Sequence, residues 1–295
     1  MKKEKIAYAI LSGIVLICFL SSCGTEETDG MNQNPINVNY TPINNNDGWK
    51  ISTPQEQGMD EGKLKNVYEA AGKISNIYSL LIVKNDCLIG EAYFNSDFRG
   101  IDTFTPLASV TKSYTSALTG IAIREGYIKD VDQKMRDFFP EFNWDQMDSR
   151  KSQISIENIL QMRSGYPWEE RTGYMEILFS AGNWLPFIER FPLLSNPGSE
   201  FGYSNFTAHM MAVIVARATG MNLKDFANTH LFDPLDVTVK NWPQDTNGYY
   251  YGSGDISFIP RDMARFGLLY LNKGYYNGTQ IIPADWVEAS FKIYS

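Results

Sequence analysis

Ser109 and Lys112 stand three residues apart in the run Ser-Val-Thr-Lys-Ser-Tyr-Thr-Ser-Ala-Leu-Thr-Gly-Ile-Ala-Ile. On a helix this spacing puts both side chains on one face. A serine hydroxyl is a poor nucleophile until a neighbouring base takes its proton. A lysine can be that base once burial lowers its proton affinity, because desolvation penalises the ammonium form. A helix N-terminus would also favour negative charge developing on the serine oxygen. The spacing by itself arises about once by chance in a chain of this composition, so the surrounding sequence has to carry the argument.

That surrounding is informative. Val110, Tyr114, Ala117, Leu118 and Ile121 recur at helical spacing, and no charged residue occurs from Ser113 to Ile123. A helix lacking a charged face is buried all round. Arg124 and Glu125 end it, with Gly126 placed to cap the last turn. The pattern predicts a central helix whose first turn carries Ser109 and Lys112 between packed layers.

Upstream, Met59 to Ile74 reads as a helix, and Tyr78 to Phe94 reads as a hairpin turning at Asn85-Asp86. From Tyr127 to Val239 the pattern is chiefly helical: Ile156 to Met162, Gly182 to Glu189, Phe206 to Thr219 and Leu223 to Leu231. A β-rich start followed by an α-rich run predicts an α+β fold, an antiparallel sheet flanked by helices plus an all-α lobe over roughly 110–245.

Several blocks in order resemble the class C β-lactamase-related serine hydrolases, which are penicillin-binding-protein-like. They are Pro106-Leu-Ala-Ser-Val-Thr-Lys-Ser, Glu125-Gly-Tyr-Ile-Lys-Asp-Val-Asp, Ile154-Ser-Ile-Glu-Asn-Ile-Leu-Gln-Met-Arg-Ser-Gly, Pro197-Gly-Ser-Glu-Phe-Gly-Tyr-Ser-Asn, Asp233-Pro-Leu and Arg261-Asp-Met-Ala-Arg-Phe-Gly-Leu-Leu-Tyr. The resemblance covers Trp49 to Ser290, is nearest to the 6-aminohexanoate-oligomer hydrolase and esterase branch, and implies a serine β-lactamase/transpeptidase-like fold. It makes Ser109 the acylated nucleophile and Lys112 its base. A Tyr-x-Asn faces that pair in the family, and the pattern occurs here at Tyr93, Tyr203, Tyr270 and Tyr275. Only Tyr203 lies in a Pro-Gly-marked loop just before a helix, so Tyr203 becomes the proton shuttle and Asn205 the hydrogen-bonding partner of Lys112 or the substrate carbonyl. The implied chemistry is acyl transfer through an acyl-enzyme, with no metal and no other cofactor.

One family block is missing. No Lys or His is followed two places later by Gly, so the Lys- or His-x-Gly strand beside the nucleophile has no counterpart. Asp285-Trp-Val-Glu-Ala-Ser-Phe-Lys reads as an unfinished helix, and the chain is expected to be C-terminally truncated, short of its last strands, and weak or inactive as written. A serine hydrolase acting on an ester, amide, D-alanyl peptide or β-lactam, or on a peptidoglycan-like substrate, is the first expectation. A non-catalytic envelope protein that keeps the fold and binds a partner is the second.

The N-terminal residues address the protein to the envelope. Lys2, Lys3 and Lys5 precede the apolar run Ile6 to Leu20, which is short for a membrane span. Leu20-Ser-Ser-Cys23 matches a bacterial lipoprotein site, so residues 1–22 are read as a signal peptide and Cys23 as the lipidated residue. Cys87 is then the one cysteine left in the mature chain besides Cys23, and it is expected as a small core residue. Residues 23–48, rich in Asn, Thr and Glu, read as a flexible tether. Residues 49–295 form the hydrolase domain. The net charge of −8 and the absence of any basic stripe argue against nucleic acid as a partner. The localisation expected is the bacterial envelope, lipid-anchored.

Overall fold

The structure is a computed structural model that describes residues 38–94 and 100–294, together with the backbone of 14–20. In chain order its main elements are β1 (Ile14–Leu20), β2 (Lys50–Ile51), α1 (Glu61–Ala71), β3 (Ile77–Lys84), β4 (Cys87–Tyr93), β5 (Thr105–Pro106) and α2 (Thr111–Arg124). Then come α3 (Ile156–Leu160), α4 (Glu169–Thr172), α5 (Tyr174–Ala181), α6 (Phe187–Arg190), α7 (Asn205–Thr219), α8 (Leu223–Ala227) and α9 (Asp233–Leu235). The chain closes with β6 (Ser257–Phe258), α10 (Pro260–Leu271), β7 (Tyr275–Tyr276), β8 (Thr279–Gln280) and α11 (Ala284–Ser290). Two compact units result: residues up to Thr103 with Ile259–Leu271, and Phe104–Phe258 with Asn272–Ser295.

The first unit holds a four-stranded sheet in the order β1-β3-β4-β2. β3 and β4 form the expected hairpin, and Asn85 and Asp86 turn it with φ of 50° and 60°. Two successive positive φ values give the turn whose twist matches that of the flanking strands. The Asp60 side chain accepts from Lys63 N and starts α1, whose Leu64, Tyr68 and Ala71 lie one turn apart and pack on Leu80, Ile82, Ile89 and Ala92. Gly90 is required there, because a Cβ would stand 2.4 Å from the Tyr68 hydroxyl.

One expectation changes in this unit. Residues 38–47 do not belong to a tether: Val38 and Tyr40 join the α1 core, and Tyr40 stacks on Tyr68 at 4.6 Å. Asp47 pairs with Arg261 Nη1 at 2.8 Å, and buried Arg261 also reaches Glu91. The acidic start of the proposed tether, and Cys23 with it, lie outside the described residues. Ile14–Leu20, read as part of the apolar leader, forms β1 antiparallel to β3, from Ile14 opposite Lys84 to Leu20 opposite Ile77. Branched aliphatic residues suit a strand as well as a lipid environment. Cys87 is part-buried at the margin of the core.

The second unit is mainly helical and is built around α2 and α7, which pack on each other. Both lack a solvated stripe over most of their length: Tyr114, Ala117, Leu118 and Ile121 of α2 and residues 205–216 of α7 are buried. Gly126 ends the α2 region with φ of 79°, as its position predicts. The helix expected over Gly182 to Glu189 is displaced. Gly182, with φ of 68°, terminates α5, and helix resumes at Phe187. Among the described residues no helix is long and apolar enough to cross a membrane.

Candidate active site

β5 and β6 pair antiparallel, and Leu107 N donates to the Ile256 carbonyl, so the chain enters the nucleophile turn tied to the segment that precedes β6. Ala108 follows with φ of 42°, a left-handed conformation that a Cβ disfavours. Its carbonyl accepts from Thr111 Oγ1 at 2.7 Å and from Asp255 N at 3.3 Å. Such a residue persists only where its surroundings over-determine it, and here it aims the next side chain, Ser109. Ser109 stands in a 3-10 turn, Ala108–Val110, that runs directly into α2. The expected juxtaposition of Ser109 and Lys112 therefore holds, although the α-helix proper starts two residues after the serine. Val110 is 42% exposed and is not part of the buried stripe.

Lys112 Nζ lies 2.9 Å from Ser109 Oγ, 2.7 Å from Asn205 Oδ1 and 2.6 Å from the Ser253 carbonyl oxygen. It also stands 4.8 Å from the centre of the Tyr203 ring, and Ser109 lies near enough to lower the proton affinity of the Tyr203 hydroxyl. The structure thus brings Ser109, Lys112, Tyr203 and Asn205 together. Of the other Tyr-x-Asn matches, Tyr93 is in β4, Tyr270 in α10 and Tyr275 in the β7–β8 hairpin.

Proton affinities in the site diverge. Burial pulls Lys112 down to about 8, against the opposing fields of Glu170, Glu169 and Asp255. Burial pushes the Tyr203 hydroxyl up from 10.0, with the two glutamates adding to it and Ser109 partly offsetting it. At neutral pH Tyr203 is a phenol and can donate, while Lys112 has a deprotonated form within reach. A pair of groups pushed apart in this way is chemically suited to serve as base and acid.

Three contributors escaped the sequence reading. Glu169 is fully buried and accepts from Asn205 N at 2.9 Å, Phe206 N at 3.1 Å and Ser204 Oγ at 2.6 Å. It satisfies the free N–H groups of the first turn of α7 and thereby fixes where Asn205 sits. Glu170 accepts from Asn205 Nδ2 at 3.2 Å. Ser253 supplies only a carbonyl, which no side-chain pattern announces. Its neighbour Gly252 is held against α7 so closely that a Cβ would meet Ala212 Cβ at 2.5 Å and the Ala208 carbonyl oxygen at 2.6 Å. Thr115 Oγ1 donates to the Gly252 carbonyl at 2.9 Å, which stitches this loop to α2 as well.

His209, one turn along α7 from Asn205, is completely buried, with Nε2 3.2 Å from Asp245 Oδ2. Burial lowers its proton affinity, and Asp245 opposes that effect. The ring packs between Trp184 and Tyr251. It anchors the segment leading to Ser253 and makes no contact with the Ser–Lys pair through any of these bonds.

Comparison with known proteins places this geometry in context. A model of the beta-lactamase family matches residues 78–293. The 6-aminohexanoate-dimer hydrolase of Paenarthrobacter ureafaciens is 27% identical over 228 residues, 72% of this chain and 56% of that protein. Protein flp of Staphylococcus aureus strain MRSA252 is 26% identical over 57% of this chain and 35% of its own length. The chain thus spans about half or less of the curated relatives it matches. Among solved structures, the octameric penicillin-binding protein homologue of Pyrococcus abyssi superposes with a TM-score of 0.58 at 17% identity, over 80% of this chain and 61% of that one. That last likeness concerns the fold.

Proposed function

The chain belongs to the beta-lactamase family, and from that premise we propose that it is a serine hydrolase working by acyl transfer at Ser109. The observation that carries this reading is the set of acceptors around Lys112. A neutral amine has two N–H bonds and one lone pair. The Asn205 and Ser253 oxygens take the two hydrogens, and the third direction, 2.9 Å away, is Ser109 Oγ. The lone pair therefore meets the serine hydroxyl.

The steps follow. Lys112 takes the Ser109 proton while Oγ bonds to the carbonyl carbon of an ester or amide. The tetrahedral intermediate places its charge near the nucleophile turn, where the Ser109 backbone N–H would serve as a donor. The intermediate then expels the leaving group, protonated by the Tyr203 hydroxyl. Lys112, now an ammonium, returns a proton to the Tyr203 oxygen, which restores both groups. Water repeats the addition on the acyl-enzyme, and the acid leaves with Ser109 regenerated. Candidate substrates are esters, amides, D-alanyl peptides and β-lactams. We place the protein at the bacterial envelope, lipid-anchored through Cys23, on the strength of Leu20-Ser-Ser-Cys23; cleavage before Cys23 would remove β1 and leave β3 as an edge of the sheet.

The test is covalent labelling with a fluorophosphonate and with a fluorescent penicillin, followed by peptide mapping. Label on Ser109 that disappears in a folded Ser109→Ala variant is the expected result. Label on a different serine, or none, sinks the assignment.

A further inference from the structure

One dipeptide holds Asn205 twice. Its backbone N–H donates to Glu169 Oε2 at 2.9 Å, and its side-chain Nδ2 donates to Glu170 Oε1 at 3.2 Å. Asn205 Oδ1 is left facing Lys112 Nζ at 2.7 Å. The two ends of an asparagine amide have nearly the same shape but opposite hydrogen-bonding character, so neighbours decide which way it points. Reversed, the amide would set its NH2 against the lysine's own N–H bonds and its oxygen against the Glu170 carboxylate. Lys112 would then lose one of the two acceptors that aim its lone pair at Ser109. Glu169 is buried and serves the helix start, whereas Glu170 is exposed and bonds to the amide.

We propose that Glu170 is a positioning residue: its carboxylate fixes the Asn205 amide with the acceptor end toward Lys112, and so keeps the lysine lone pair on Ser109. The catalytic consequence rests on the acyl-transfer reading; the amide's orientation does not. Lys112 is faced by Glu170 and Glu169 from α4, by Asp255 from the loop before β6 and by the Tyr203 ring, and all three carboxylates favour its ammonium form. Loss of the Glu170 charge shifts Lys112 toward the neutral amine. Loss of the Glu170 acceptor leaves Asn205 Nδ2 only the weak thioether acceptor Met175 Sδ at 3.7 Å, so the amide can turn, which takes a further stabilising oxygen from the ammonium.

Glutamine separates the two effects, because its Oε1 can accept from Asn205 Nδ2 without a charge. The experiment uses the full chain as wild type, Glu170→Gln and Glu170→Ala, each checked for a cooperative melt. Competitive acetylation with acetic anhydride across pH, read by peptide mass, gives the titration midpoint of Lys112. Fluorophosphonate labelling on the high-pH plateau gives the rate at Ser109. The expected midpoints descend from wild type to Gln to Ala, and the Ala variant labels roughly tenfold more slowly than Gln, the equivalent of about 1.4 kcal/mol. Coincident midpoints for Gln and Ala, or midpoints unchanged from wild type, overturn the proposal. Equal plateau labelling of Gln and Ala overturns it too. Should wild type label at no serine, the acyl-transfer reading fails, and the order of the three midpoints still decides the role of Glu170.

Discussion

At the scale of single residues, the proposed acyl transfer depends on a lysine that can be relieved of its proton. Arginine keeps the positive charge but cannot be deprotonated in a protein, so Lys112→Arg tests the base directly. Labelling of Ser109 is expected to fall by about 10²–10⁴, the usual worth of a positioned proton acceptor. Tyr203→Phe removes only the hydroxyl and is expected to slow turnover of a chromogenic ester by about 10² or more. Tyr275→Phe, in the β7–β8 hairpin, is expected to leave turnover within about twofold, as most surface substitutions do. Turnover of Tyr203→Phe as little changed as that of Tyr275→Phe would show that Tyr203 acts only as a packed ring beside Trp168, 5.9 Å away between ring centres.

At the scale of elements, the decisive contact is the loop before β6 pressed on α7. A methyl group at Gly252 has no room, so Gly252→Ala must lift the loop, at about 1–3 kcal/mol for the overpacking. The Ser253 carbonyl moves with it, and Lys112 loses an acceptor. Gly254→Ala is the control, since its Cβ would meet nothing nearer than 3.8 Å. Thermal melting and Ser109 labelling are both expected to fall for Gly252→Ala and to stay near wild type for Gly254→Ala. A Gly252→Ala variant that melts and labels like the native chain would remove the loop from the account.

What sequence could and could not foresee divides along the same line. The helix over 205–219, the Asn85-Asp86 hairpin and the neighbouring Ser109 and Lys112 were legible because each is set within one or two turns of chain. Glu169 and Glu170 drew no attention in the sequence, because their partner Asn205 lies 36 and 35 positions away. The Ser253 oxygen belongs to the backbone and has no residue type to betray it. The helix placed over Gly182 to Glu189 shows the opposite error, in which a helix was started at a glycine that the fold uses, at φ of 68°, to stop one. Val110 fits the stripe numerically but precedes the helix that would have buried it.

At the scale of the whole molecule, the envelope assignment makes a separate prediction. On the proposed anchor, acyl chains on Cys23 would supply membrane affinity, each buried methylene contributing about 0.8 kcal/mol. Cys23→Ser is expected to move the protein from the membrane fraction into unprocessed or soluble material and to abolish incorporation of a labelled fatty acid. Unchanged fractionation would leave the hydrolase reading standing without its anchor.

The three acceptors around Lys112 also have a consequence for any ensemble of these molecules. All three can receive a hydrogen, so the ammonium is comfortably held, and with a proton affinity near 8 roughly one molecule in ten carries the free amine at pH 7. The idle majority is not a damaged fraction. Protons exchange far faster than acylation, and every molecule passes through the competent form in turn. Two observables then part company as pH is raised. The rate of Ser109 labelling climbs about tenfold from pH 7 and levels off above 8, because the base is lost on protonation and regained on deprotonation. The final stoichiometry, by contrast, stays at one label per folded chain at every pH. A stoichiometry that climbs together with the rate would mean that two populations exist which do not interchange, and that a slow rearrangement, not a proton, separates them.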